Sequence, residues 1–475
     1  MSNELMTGDE LENLVEKLVQ ESGCPGASAA VQRGDEVLTG VAGYTNLRTR
    51  VEVTPDSVFQ IGSNTKVYNV TLLMQLVDEG KLDLDQPVIE VLPDFKLADA
   101  EATKQITVRH CVTHTSGIDG GDYIEDFGRG ADAVKLYVDS LANIGLVHPI
   151  GKFHSYCNAG TIIAGRVIEV LTGLPWVDAL RERLLKPLEL NETVSLPEEA
   201  IQFRAAAGHR EAEKKGDEPV LYETWSLPFG NAPAGSVINA SARDLCAFGQ
   251  FHLNDGVAPN GKQVLSKKSV AAMREIQFPE LTGNAAGGGQ GLGWMVGKQG
   301  PFSILSHGGG TLGQVSSWMN LPDQGVSIAV LTNGPGGGAV IGGVVKEVFS
   351  RLGGDKFAAE LAEKQKTAAE QEAPAEKPEP PQIDLEKYVG VYDRKYLTTT
   401  VEVVEGKLRS TTVLGGYLAA NMASPKPTTL QPIDAETFAA LDEEGKPSGG
   451  AKFTDFDGEG RPQYMIQGRV SRRIS

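Results

Sequence analysis

A serine and a lysine three residues apart can trade a proton when a helix starts between them. Ser63-Asn64-Thr65-Lys66 is the one S-x-x-K in the chain, and it opens a helical pattern, NTKVYNVTLLMQLVDEG, after the apolar run VFQIG. Positions i and i+3 share a helix face, which puts the amine one turn from the hydroxyl. Burial beside polar groups lowers a lysine pKa, and a neutral amine can then take the serine proton. The same spacing also arises by chance or where a serine caps a helix. Tyr156-Cys157-Asn158 is a second piece, because a phenol near a lysine can exist partly as phenolate and shuttle a proton to a leaving group. A buried tyrosine with a satisfied hydroxyl fits the same letters, and Tyr44-Thr45-Asn46 repeats the pattern earlier in the chain. The third piece is Ser306-His307-Gly308-Gly309-Gly310, just before a strand-like run. Glycines there let a substrate approach the strand edge, and a backbone N–H can donate to an oxyanion.

The elements that must position these residues are partly visible. Leu11, Leu14, Val15, Leu18 and Val19 recur at helical spacing, so the chain opens with an amphipathic helix. GASAAVQRGDEVLTGVAGY reads as a hairpin about Gly34-Asp35. The middle, roughly 100 to 290, mixes helices such as TIIAGRVIEVLTG with long loops. Strands are expected at Gln314–Asn320 and Val326–Asn333, joined by the turn Pro322-Asp323-Gln324-Gly325, then a helix near Ala339–Leu352. After it, AEKQKTAAEQEAPAEKPEPPQ is rich in Ala, Glu, Lys and Pro, as a stiff linker is. Short strand-like runs such as TTTVEVVEG and KFTDFDGEG follow from about Ile383, so a small all-β unit is expected at the end.

Composition excludes some functions. The chain has 475 residues, 40% hydrophobic and 22% charged, with 44 Lys+Arg against 62 Asp+Glu and a net charge of −18. Two or three domains fit that length, and a sizeable core can form. The acidic balance argues against nucleic-acid or anionic-membrane partners, which need a basic footprint. No segment approaches the ~18 consecutive apolar residues of a membrane span. Cys24, Cys111, Cys157 and Cys246 lie far apart without CxxC, so reduced thiols, no metal and a cytoplasmic location are expected.

Other motifs fail on context. Gly308–Gly313 matches G-x-G-x-x-G but precedes a strand, and Gly256–Lys262 imitates a phosphate loop but lacks the following Ser/Thr. No G-x-S-x-G elbow occurs, and His110, His114, His148, His154 and His209 show no H-E-x-x-H spacing.

Ser63-x-x-Lys66, Tyr156-x-Asn158 and His307-Gly308-Gly309, in that order, resemble the serine β-lactamase and penicillin-binding-protein superfamily. The nearest type is the class C β-lactamase-like serine hydrolases: esterases, D-aminopeptidases and transacylases. ITVRHCVTHTSGI at 106–118, PAGSVINASARDLCAF at 233–248 and GLGWMV at 291–296 also resemble that group. The resemblance implies an α+β fold, an antiparallel sheet flanked by helices plus a helical subdomain. It implies Ser63 as acylated nucleophile, Lys66 as its base and Tyr156, rather than Tyr44, as the partner acid/base. It also implies Asn158 as a ligand of Lys66 or the substrate amide, an oxyanion hole from the N–H groups of Ser63 and Gly310, and His307, Gly308 and Gly309 at the substrate. One departure is that β-lactamases carry Lys-Thr-Gly where this chain has His307-Gly308-Gly309, which argues against β-lactam hydrolysis because histidine is mostly neutral at pH 7.

The C-terminal unit, through LEKYVGVYD at 385–393, resembles the lipocalin-like barrel appended to some of these hydrolases. The expected organisation is a catalytic domain over 1–360, a Glu/Pro-rich linker over 361–382 and a barrel over 383–475. The implied activity is serine hydrolysis of a small ester, amide or peptide without a cofactor, of carboxylesterase or amidase type. D-amino-acid peptidase and acyl transfer to an amine or alcohol are the rival activities. A non-catalytic ligand-binding protein is the rival of another class. Homo-oligomerisation is left open.

Overall fold

A computed structural model of the chain describes residues 5–214, 216–279, 288–353, 383–422, 424–443 and 445–475. The expected linker over 361–382 lies outside them.

The opening helix, α1 (Gly8–Ser22), starts where Thr7 and Glu10 bond each other's backbone N–H groups, and it stops at Gly23 in the left-handed region. It buries Leu11, Val15 and Val19, part of the predicted stripe. The hairpin about Gly34 is present as β1 (Gly26–Arg33) and β2 (Glu36–Asn46), with Arg33 opposite Glu36. These strands join β3 (Val51–Glu52), β4 (Gly288–Gln290), β5 (Met295–Gln299), β6 (Phe302–Gly310), β7 (Val315–Leu321) and β8 (Val326–Thr332). Among the described residues they form one antiparallel sheet in the order β3-β2-β1-β8-β7-β6-β5-β4.

Both faces of the sheet are covered, which is why central β8, VSIAVLT, is apolar and buried throughout instead of alternating. On one face α1 and a helix over 337–353 pack Val340, Val344, Val348 and Phe349 against Ala27, Ala29, Val31, Ile328 and Val330. On the other, Ala30, Ala329, Leu331 and Trp318 belong to the larger core with α2 (Thr65–Asp78) and α3 (Asn158–Thr172). Helix α2 is buried almost all round, as its weakly amphipathic sequence requires. Among the described residues no single helix is long and apolar enough to cross a membrane.

The C-terminal strands close into an eight-stranded antiparallel barrel, from Gly390–Arg394 round to Arg469–Arg473, where Tyr392 lies opposite Arg473. Its interior is filled by Tyr388, Tyr392, Val401, Leu408, Leu430, Phe438, Phe453 and Met465. Tyr388 meets the Phe438 ring edge-on at 5.0 Å, and Phe438 meets Phe453 in the same way at 5.1 Å.

The barrel docks on the helical side of the first region. Val147 and Phe153 pack against Tyr464, Ile466 and Val470. Asp122 takes Arg394 Nε at 2.7 Å on one carboxylate oxygen and Arg469 Nη1 at 2.9 Å on the other. Lys395 N donates to Asp119 at 2.8 Å, and the Tyr396 hydroxyl bonds Glu125.

Candidate active site

Ser63 lies in a 3-10 turn, Gly62–Asn64, that runs directly into α2. The turn is stitched to β7. Asn64 Nδ2 donates to Ser316 Oγ at 2.7 Å, Ser316 Oγ donates to the Ile61 carbonyl at 2.9 Å, and Gln60 N donates to Gln314 Oε1 at 3.0 Å. Two glycines allow the close approach of three chain segments. A Cβ at Gly309 on β6 would collide with the Ile61 carbonyl oxygen. One at Gly235 (φ +121°) would collide with the Gly62 carbonyl and stand 2.9 Å from Ser63 N. The Gly308-Gly309-Gly310 run therefore lets the strand edge touch the serine turn.

Lys66 is 2% exposed, and its Nζ stands 3.0 Å from Ser63 Oγ. It also donates to the Ala234 carbonyl at 2.7 Å. Burial pushes its pKa well below the ordinary lysine value, and the positive charge of Arg469 adds to that. A neutral amine that spends one hydrogen on Ala234 can turn its lone pair to the serine hydroxyl. Tyr156, at the N-terminal end of α3, presents its ring face 4.8 Å from Lys66 Nζ. Burial raises its phenol to about 12, with Ser63 and then Arg469 pulling the other way. Burial thus drives the phenol toward its protonated form and the Lys66 amine toward its uncharged form. That burial works against the partial phenolate expected from the sequence, while Ser63 and Arg469 work for it.

His307 is buried, donates from Nδ1 to the Gly308 carbonyl at 2.6 Å, and lies 6.3 Å from the Tyr156 ring. Burial, then Lys66, lowers it to about 4, so it is neutral. Behind Tyr156, the His114 ring packs at 4.4 Å, tilted by 35°, and accepts from Cys157 N at 3.1 Å. Asn158 donates its side-chain N–H to the Gly121 carbonyl at 2.9 Å, while the bonds of Lys66 go to Ser63 and Ala234. Asn158 faces the cleft with Ser63, Tyr156 and Gly310. Tyr44 sits under Arg50 on β2, across the centre of the sheet from β6. Cys24, Cys111, Cys157 and Cys246 are all buried free thiols.

The cleft holds about 320 Å³. Part of its wall was not singled out as site in the sequence: Asp122, Leu227, Asn231, Ala234 and Gly235 from the first region, and Tyr417, Leu418, Met422 and Arg469 from the barrel. Ala234 and Gly235 fall in the run PAGSVINASARDLCAF, which carried the resemblance but no assigned role. The barrel residues carry no local signal. They matter only because the barrel docks with the short helix Gly416–Asn421 and the turn before Arg469 turned to the cleft.

Comparison with known proteins gives the family and the fold. The Beta-lactamase family matches residues 11–342. Penicillin-binding protein 4 of Amycolatopsis lactamdurans is 39% identical over 373 residues, 78% of this chain and 93% of that protein. The crystal structure of SurE superposes with a TM-score of 0.76 at 26% identity, covering 98% of this chain and 99% of SurE. A D-stereospecific amidohydrolase from Streptomyces sp. gives a TM-score of 0.54 at 26% identity, covering 71% of this chain and 98% of that one.

Proposed function

The chain belongs to the Beta-lactamase family, and we propose that it is a serine hydrolase that forms an acyl-enzyme on Ser63 from an ester or amide. The observation that carries this reading is the buried Lys66 amine 3.0 Å from Ser63 Oγ, its other hydrogen bond fixed by the Ala234 carbonyl. Ser63 Oγ attacks the substrate carbonyl carbon as its proton passes to Lys66 Nζ. The carbonyl oxygen becomes an oxyanion held by the N–H groups of Ser63 and Gly310. The leaving alkoxide or amine departs with the proton of the Tyr156 hydroxyl, which Lys66 then restores. Water, or an amine or alcohol in the cleft, reverses these steps and frees Ser63. Asn158 lines the route of the acyl group, and His307-Gly308-Gly309 on β6 lead the strand to Gly310 at the cleft wall.

A D-amino-acid amide or peptide as acyl donor is the second reading. It is favoured by the likeness to a penicillin-binding protein and to a D-stereospecific amidohydrolase. β-Lactam turnover should be weak, because neutral His307 offers no fixed charge to a substrate carboxylate. A neutral fluorophosphonate should add one adduct to the intact protein, mapped to Ser63, and Ser63→Ala should take none. Rates on p-nitrophenyl esters, D- and L-amino-acid anilides and nitrocefin then rank the donors. A Ser63→Ala protein that keeps wild-type turnover would overturn the mechanism.

A further inference from the structure

Arg469 enters the cleft from the turn between the last two barrel strands, Pro462–Gln467 and Arg469–Arg473. Its Nε donates to the Tyr156 carbonyl at 2.9 Å, its Nη1 meets Asp122 at 2.9 Å, and its guanidinium carbon stands 5.3 Å from the Tyr156 ring centre. We propose that Arg469 is a positioning residue through which the docked barrel holds a fixed positive charge against the Lys66–Tyr156 pair and so raises the reactivity of Ser63. This rests on the acyl-enzyme reading above.

The charges around Tyr156 decide the sign. Lys66 faces it from α2, Arg469 from the barrel, His307 from β6 and His114 from the loop behind, with His154 beyond at 5.7 Å from His114. Burial holds all three histidines below their ordinary value, so none is a cation near neutrality. Asp122 is the nearby anion, but it divides its two oxygens between Arg394 and Arg469. Two guanidinium groups on one carboxylate leave that trio with one net positive charge. Such a charge disfavours the ammonium form of Lys66 and favours ionised Tyr156. The first leaves more of Lys66 as free base for Ser63 on the acid side, the second makes Tyr156 a better proton donor to the leaving group, and the pull of Arg469 on each group has that sign. The effect needs no contact between Arg469 and substrate.

The test is the rate of Ser63 labelling by a small uncharged fluorophosphonate, followed against pH on the full chain. Arg469→Gln keeps donors toward Tyr156 and Asp122 but loses the charge. It should slow labelling about tenfold on the acid side and move the acid limb up by about one pH unit. Arg469→Lys, which keeps the charge, should hold the limb near wild type. Arg394→Gln also takes one charge from the trio but leaves Arg469 against Tyr156, so it should move the limb by clearly less than Arg469→Gln does. If Arg469→Gln fails to fold, Arg469→Met gives the same readout. An unmoved limb in the neutral variant overturns the proposal, and so does an equal shift in Arg394→Gln. A wild-type protein that takes no label at Ser63 would instead remove the acyl-enzyme reading itself.

Discussion

The serine turn and the barrel rim face each other across one cleft, but different forces hold them. Residues 60–64 are fixed chiefly by backbone in contact with backbone, β6 touching the Ile61 carbonyl at Gly309 and the segment at Gly235 touching Gly62, with the side chains of Ser316 on β7 and of Gln314 just before it bonding the turn. The rim at Tyr417, Leu418, Met422 and Arg469 is carried on a filled barrel that docks through side chains, chiefly the Asp122 ion pairs and the cluster of Val147, Tyr464, Ile466 and Val470. Contacts of the first kind tolerate almost no added atom. Contacts of the second kind can be exchanged one side chain at a time. Chemistry sits on the first, and selection and tuning sit on the second.

The largest expected effect breaks the first region at its proton acceptor. Lys66→Ala should cut the acylation rate by about 10³-fold, Tyr156→Phe by less, and the double variant by little more than Lys66→Ala alone, since the two act as a unit. Additive losses in that cycle would contradict a shared relay. The wild-type rate should fall on the acid side as Lys66 takes a proton, at a pH well below the ordinary lysine value because burial has lowered its pKa.

Gly309→Ala comes next. Its Cβ must push β6 off the Ile61 carbonyl, so we expect about 3 kcal/mol of destabilisation in denaturant unfolding. Ser63 labelling should slow by about tenfold even in the folded fraction. A protein of wild-type stability and rate would show that strand and turn are not tightly seated.

Asp122→Asn attacks the docking instead. Asp122 and Arg394 are each 10% exposed, so loss of the carboxylate strands a desolvated guanidinium at a cost of about 3 kcal/mol. Thermal unfolding of the barrel should separate from that of the first region. Acid should mimic the variant. Burial alone would raise the Asp122 pKa, but Arg469 and Arg394 hold it below the ordinary carboxylate value. Its contribution is thus complete above that value and is lost as pH falls through the lowered one.

The smallest effect sharpens the comparison. Tyr417→Ala should leave short esters nearly unchanged and alter the kcat/KM ratio of bulky to short esters by about 1 kcal/mol, roughly fivefold. An unchanged ratio would remove Tyr417 from substrate selection.

The sequence showed the two regions unequally for the same physical reason. Ser63 and Lys66 lie one helical turn apart, so spacing alone brought them together, and the hairpin about Gly34 and the buried β8 followed from local pattern. Tyr156 needed more, since Tyr44-Thr45-Asn46 has the same letters, and the resemblance to a family made that choice. The Ala234 carbonyl that fixes the lysine could not be read, because a backbone acceptor has no side-chain signature. Arg469 could not be read either. Its place beside Tyr156 exists only through barrel closure and docking, and short strand-like runs predict a β unit without saying how it sits.

The stitching of the serine turn has a consequence in time. Ala30 pairs with Ala329, and Asn64 bonds Ser316, so neither the central sheet nor the nucleophile's seat can form before roughly two-thirds of the chain exists. Contacts this distant in sequence make folding slow, because a long loop must close before any of them is gained. Until then α2, with Val67, Tyr68, Leu72, Leu73 and Leu76 destined for burial, can be covered only in part, by α3 and the other helical segments of the same core. A growing chain therefore carries an incompletely shielded apolar helix through roughly half of its synthesis, and that interval is when this protein is most exposed to aggregation.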